Sequence, residues 1–195
     1  MKIALDSRDA LIVVDMQNDF MPGGRLVVPG GDEIIPLLNR YIAFFHTNKL
    51  LIFAVRDWHP SNHCSFQQQG GLWPAHCIAE SEGAAFYPHL KLPVDAHIIS
   101  KATTPERDAY SGFTNTPLNT LLQSSGIHRV FIGGVATEYC VLNTVKDALR
   151  FHYITFVLED AVCAINKQPE DGGLHAIEEM TLLGAIPIHY VALAI

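Results

Sequence analysis

Six short apolar runs mark the chain, at 10–14, 50–55, 97–100, 130–133, 153–158 and 185–190. Each has the length of a strand and is nearly continuous in apolar character, not alternating, which is the pattern of strands covered on both faces. Segments of helical periodicity separate them. Asp32 is placed to cap a helix whose Ile34, Leu38, Tyr41, Ile42 and Phe45 recur at helical spacing. Further helices are expected over about 117–125, 137–151 and 169–183, the last opening at Pro169, a residue suited to a first turn. Strands alternating with helices predict a three-layer α/β/α architecture with a parallel sheet. A length of 195 residues fits a single domain, 1–195, with its own core.

One connection departs from this rhythm. Between Arg56 and Asp95 lie roughly forty residues rich in Pro, Gly, His and aromatics, and long irregular connections inside compact domains are usually functional. The other chemistry-bearing residues sit just past apolar runs: Asp15 in IVVDMQNDF, Lys101 in IISKATTPERDAYSGF and Cys140 in GGVATEYCV. The carboxyl ends of parallel strands converge on one crevice, so these three are expected to meet.

Each has a plain structural reading when taken alone: a turn aspartate, a solvated lysine at a sheet edge, a buried cysteine. Together they form an acid that can take a thiol's proton, a cation that keeps the acid ionised, and a nucleophile. Cys140 is expected in the first turn of a helix, where free backbone N–H groups favour a thiolate and can hold a developing oxyanion. Gly133 and Gly134 permit tight backbone approach before that helix. Cys64, Cys77 and Cys163 lack this setting and are assigned to packing or loop.

The long connection opens with RDWHPSNHCSF and continues to GLWPAHC. Asp57 and His59 alternate across one residue, so both face one side if the chain stays extended, and His76 supplies a third donor. One carboxylate and two imidazoles suit Zn²⁺, Fe²⁺ or Mn²⁺ with positions left for water or substrate. His63 is a candidate fourth ligand or supporting group. A turn carrying exposed histidines is the rival reading, and the third histidine with Trp58 and Trp73 argues against it.

Composition narrows the partners. Thirteen Lys and Arg against 20 Asp and Glu give a formal charge of −7, which repels nucleic acid and anionic lipid surfaces. No run approaches the roughly 18 apolar residues of a membrane span. Asp6, Arg8 and Asp9 interrupt any secretory apolar region, and four cysteines beside a large core read as free thiols. A cytoplasmic location is expected, with a small molecule as the partner and a homo-oligomer left open.

The segments VDMQNDF, PGG, RDWHPSNHCSF, GLWPAHC, GAAFYP, SKATTPERDAYSGF and GGVATEYCV, spread over nearly the whole chain, resemble nicotinamidases (pyrazinamidases) of the isochorismatase-like cysteine hydrolase superfamily. The resemblance implies a six-stranded parallel sheet flanked by helices, catalytic roles for Asp15, Lys101 and Cys140, and metal ligation by Asp57, His59 and His76. It implies aromatic walls at Phe20 and Trp73, with Tyr139 also bordering the pocket. A cis bond between Val135 and Ala136 is implied too, directing the Ala136 N–H, with that of Cys140, toward an oxyanion hole. The implied activity is hydrolysis of nicotinamide to nicotinate and ammonia, and of pyrazinamide likewise, in NAD salvage. An N-carbamoyl hydrolase generally lacks the D-W-H-P segment, an isochorismatase proper does not use this cysteine, and a catalytically silent scaffold would not need all three positions filled.

Overall fold

All six apolar runs form strands of one sheet in the computed structural model, which describes residues 2–166 and 173–193. The strands are β1 (Asp9–Val14), β2 (Leu51–Asp57), β3 (His97–Lys101), β4 (Arg129–Val135), β5 (Ile154–Cys163) and β6 (Ile186–Ile188). Their order is β3-β2-β1-β4-β5-β6 and every pairing is parallel. The direction of winding reverses between β1 and β4, where an open α/β sheet forms a crevice beyond its carboxyl ends. Asp15 follows β1 and Cys140 follows β4 at this point.

The alternation of strand side chains builds a core on each face. Leu11 and Val13 of β1 pack under helix α1 (Ile35–Thr47), whereas Ala10, Ile12 and Val14 pack under α2 (Leu118–Ser124), α3 (Leu142–Arg150) and α4 (Leu174–Leu182). Gly134, at φ 127°, lets β4 lie close to β1: a Cβ there would run into the Val14 carbonyl oxygen. This close approach brings the loops after the two strands together.

Several boundaries differ from the sequence expectation. Asp32 does not cap α1; it gives its backbone carbonyl to the Ile35 N–H at 3.2 Å, and the helix starts at Ile35 with Pro36 in its first turn. Proline has no N–H to satisfy there, so a side-chain cap at Asp32 is not needed. The helix expected over 137–151 is a π-helical turn, Thr137–Val141, running into α3. β6 is shorter than its apolar run, which ends in a 3₁₀ turn at Tyr190–Ala192. The start of the last helix at Pro169 lies outside the described residues.

The connection after β2 holds only two short 3₁₀ turns, Gln67–Gln69 and Glu82–Ala84. Isolated bridges pin it across the sheet's carboxyl edge, His59 to Ile78, Phe66 to Trp73, and Phe86 to Gln17 in the loop after β1. Among the described residues no helix is long and apolar enough to cross a membrane.

Candidate active site

Asp15 is the first residue beyond β1 and takes a left-handed backbone, φ 52°, while its N–H still bonds the Val55 carbonyl at 3.0 Å. The turn directs a fully buried carboxylate across the sheet edge. Lys101, the last residue of β3, is 1% exposed, so a solvated edge lysine is excluded. Its ammonium lies 2.9 Å from Asp15 Oδ2, 2.5 Å from Asp57 Oδ1 and 3.4 Å from Cys140 Sγ. One cation is thus shared by two buried carboxylates and a thiol.

The electrostatics follow from this packing. Burial raises the Asp15 pKa to about 6 despite the opposing pull of Lys101. Burial also disfavours the Lys101 charge, but Asp15 and Asp57 outweigh it and hold the ammonium protonated well beyond its ordinary range. Burial, reinforced by Asp15, pushes the Cys140 thiol well above its ordinary value. The thiolate expected from a helix N-terminus is therefore not the resting form. Cys140 lies in the π-helical turn, not at the start of the α-helix, and burial first, then the Asp15 charge, outweigh the helix end.

In that turn the Ala136 carbonyl accepts from both Tyr139 and Val141 N–H groups, at 3.1 and 3.2 Å. The peptide bond between Val135 and Ala136 is cis.

Asp57, His59 and His76 converge, with one donor atom from each within 4.8 Å of the others and all three side chains buried. His59 Nδ1 lies 2.9 Å from the His76 carbonyl and His76 Nδ1 lies 2.8 Å from the Pro74 carbonyl. A carbonyl can only accept, so each Nδ1 carries the proton and each Nε2 lone pair faces inward. The Nε2 atoms lie 3.7 and 3.9 Å from the Asp57 carboxylate. Burial drops the His59 pKa to about 4, keeping its ring neutral. Burial opposes ionisation of Asp57, but Lys101 and the two imidazoles hold its carboxyl below the usual range. A carboxylate and two imidazoles, each ring oriented by its Nδ1–H, fit a divalent cation.

His63 is buried but engaged elsewhere. Its Nδ1 is 2.7 Å from the Ser65 hydroxyl and its Nε2 is 3.0 Å from the Arg107 carbonyl. It groups with His59 and Asp108, not with Asp57 and His76.

The thiol and the donor set border one cavity, and Asp15 and Lys101 lie buried behind it, with the Lys101 ammonium 3.4 Å from Cys140 Sγ. Phe20, Trp73, Tyr139, Tyr110 and Ala136 line the cavity. Trp73 meets Tyr139 edge to face at 5.1 Å and donates its indole N–H to the Tyr110 hydroxyl at 3.0 Å. Three contributors escaped the sequence reading: Tyr110, Gln17 and Asp19. Gln17 and Asp19 are polar residues of VDMQNDF that become buried, and Asp19 accepts the Cys77 N–H at 2.7 Å beside His76. Their signal was a polar run placed directly after a buried strand.

Fold and cavity together are those of a three-layer α/β/α enzyme with its polar groups gathered on the carboxyl edge of a parallel sheet. Residues 9–189 match the isochorismatase domain, and the chain belongs to that family. It is 38% identical to the nicotinamidase of Escherichia coli (strain K12) over 197 residues, covering 90% of this chain and 92% of that one. The pyrazinamidase of Pyrococcus horikoshii, solved in complex with zinc, superposes with a TM-score of 0.90 at 50% identity, covering 94% of this chain and 99% of that one. PnC1 from L. infantum, solved with nicotinate, gives a TM-score of 0.91 at 34% identity, covering 100% and 99%.

Proposed function

We propose that the chain is a nicotinamidase, hydrolysing nicotinamide to nicotinate and ammonia and accepting pyrazinamide. The observation that carries this reading is a single cavity, walled by aromatics, onto which the Cys140 thiol and a two-histidine, one-carboxylate donor set both open, with Lys101 bridging the thiol to Asp15 beneath it. The relatives named above as nicotinamidase and pyrazinamidase support the same substrate class.

Asp15 takes the Cys140 proton as the sulfur attacks the carboxamide carbon, so the proton moves in step with bond formation and no free thiolate accumulates. The backbone N–H groups of Ala136 and Cys140 receive the charge that develops on the amide oxygen. Asp15 returns the proton to the departing nitrogen, releasing ammonia and leaving a thioester. A water that loses its proton to Asp15 then attacks the thioester, and that proton restores the thiol as nicotinate leaves. Lys101 keeps the Asp15 carboxylate oriented and balances its charge. Phe20, Trp73 and Tyr139 hold the flat ring and exclude water.

Asp57, His59 and His76 would hold a divalent ion, Zn²⁺ in the first instance, which supplies a Lewis acid for the ring nitrogen when bound. A role in NAD salvage in the cytoplasm follows from this activity. The test is ammonia release from nicotinamide by metal-analysed protein, with nicotinate identified by mass spectrometry. Absence of both products from metal-replete protein would reject the reading.

A further inference from the structure

We infer that Gln17 is a positioning residue for the metal centre, its side-chain amide standing in for a missing strand peptide beside Asp57. The inference rests on the reading of Asp57, His59 and His76 as metal ligands and adds a residue that sets their geometry.

The argument starts from the register of β1 and β2. Residues of a parallel strand present both backbone groups to one neighbour and the next residue presents both to the other. The Val55 carbonyl bonds the Asp15 N–H at 3.0 Å, so Val55 faces β1, Arg56 faces β3 and Asp57 faces β1 again. At that level β1 has ended, because the chain turns away at Asp15. The Asp57 backbone would be left without a ladder partner inside the protein.

Gln17 fills that place. Its Oε1 accepts the Asp57 N–H at 2.8 Å and its Nε2 donates to the Asp57 carbonyl at 2.7 Å. The second Nε2 hydrogen goes to the Ala84 carbonyl at 2.9 Å. Only this orientation of the amide satisfies two carbonyls and one N–H, and the side chain is fully buried. Asp57 is thereby held on its β1 side, while the next residue, Trp58, is tied to β3 by its N–H to the Lys101 carbonyl at 3.1 Å. A carboxylate serving a metal needs its backbone fixed, as a tilt of the peptide swings the oxygens away from the two inward Nε2 atoms.

The test compares the parent with Gln17→Met, which keeps the length and removes all three hydrogen bonds, and Gln17→Glu, which keeps the acceptor for the Asp57 N–H. Zn²⁺ affinity is measured by competition with a chelating indicator, the visible spectrum of the Co²⁺-substituted protein reports ligand geometry, and melting of the metal-free protein reports fold. Gln17→Met should bind Zn²⁺ about 10–100-fold more weakly, with an altered Co²⁺ spectrum, and Gln17→Glu should fall between it and the parent. A lower melting temperature with unchanged affinity and spectrum would overturn the inference, leaving Gln17 merely structural. Should Gln17→Met not fold, Gln17→Glu decides alone: added negative charge favours a cation, so weakened binding supports positioning and parental binding overturns it. A parent that binds no Zn²⁺ would overturn the metal reading as well as this one.

Discussion

Lys101 and Asp57 form an ion pair of 2.5 Å in which the same ammonium lies 2.9 Å from Asp15. The Asp15–Cys140 cluster and the Asp57–His59–His76 cluster therefore share one counter-charge, and neither carboxylate can be considered alone. Removing the ammonium strands two buried carboxylates, a change that typically costs about 3–5 kcal/mol in stability. Lys101→Met should lower the melting temperature by roughly 6 °C or more and cut kcat by at least about a hundredfold. Calorimetry and steady-state ammonia release check both; a variant with parental melting and turnover would show that Lys101 neither anchors nor assists.

Cys140→Ala should abolish amide hydrolysis, by at least about 10³-fold, while leaving metal content near normal, since the sulfur is not among the grouped Asp57, His59 and His76 donors. Asp15→Asn should be comparably slow, because a thiol held above its ordinary pKa has lost its proton acceptor. Mass spectrometry of protein quenched during turnover should find a nicotinoyl thioester on Cys140 in the parent only. Turnover retained by Cys140→Ala would reject the covalent route.

The acid limb of the pH profile should belong to Asp15. Its pKa is raised to about 6, so the carboxylate is protonated and useless as a base below that pH, and kcat/KM should fall about tenfold per unit there. His59, held near 4, stays neutral through the same interval and should not contribute. The Cys140 thiol lies far to the alkaline side, so no rise through neutrality is expected. A kcat/KM profile between pH 5 and 8, with metal content verified at each end, measures this; a flat profile down to pH 5 would remove Asp15 as the base.

Tyr110 acts on the substrate wall through Trp73. Its hydroxyl accepts the indole N–H at 3.0 Å, and Trp73 in turn meets Tyr139 edge to face. Tyr110→Phe leaves that N–H without its partner at a cost near 1 kcal/mol. The expected result is a KM increase of about fivefold with kcat little changed, and no change in KM would mean the indole is held by packing alone.

The sheet was legible because β1, β2 and β4 are buried on both faces and so carry continuous apolar runs that nothing else of that length explains. Asp15, Lys101 and the Asp57–His59 pair were legible for a related reason: each falls at the end of such a run. Gln17 was not, because its role depends on β1 stopping one ladder position short of Asp57, a relation between two segments forty residues apart. The Cys140 environment was misread for want of the same information. A helix start favours a thiolate locally, whereas burial of the thiol under distant segments, reinforced by Asp15 from another strand, outweighs it. Asp32 shows the converse error, a sound capping residue made redundant by Pro36.

The ring nitrogen and the donor set should stand or fall together. Asp57, His59 and His76 point their donor atoms into the cavity that Cys140 also borders, so an ion held there lies on the same wall space as a bound ring. Benzamide keeps the amide and the six-membered ring but has no ring nitrogen to meet that ion. Sites built around one polar contact reject the analogue lacking it by about 10⁴-fold, far more than a missing methylene costs. In Zn²⁺-replete protein, kcat/KM for nicotinamide should exceed that for benzamide by about this factor, and His76→Ala should erase most of the difference by lowering the nicotinamide value. Equal kcat/KM for the two amides would remove the ring-nitrogen anchor while leaving Cys140 and Asp15 as the hydrolytic pair.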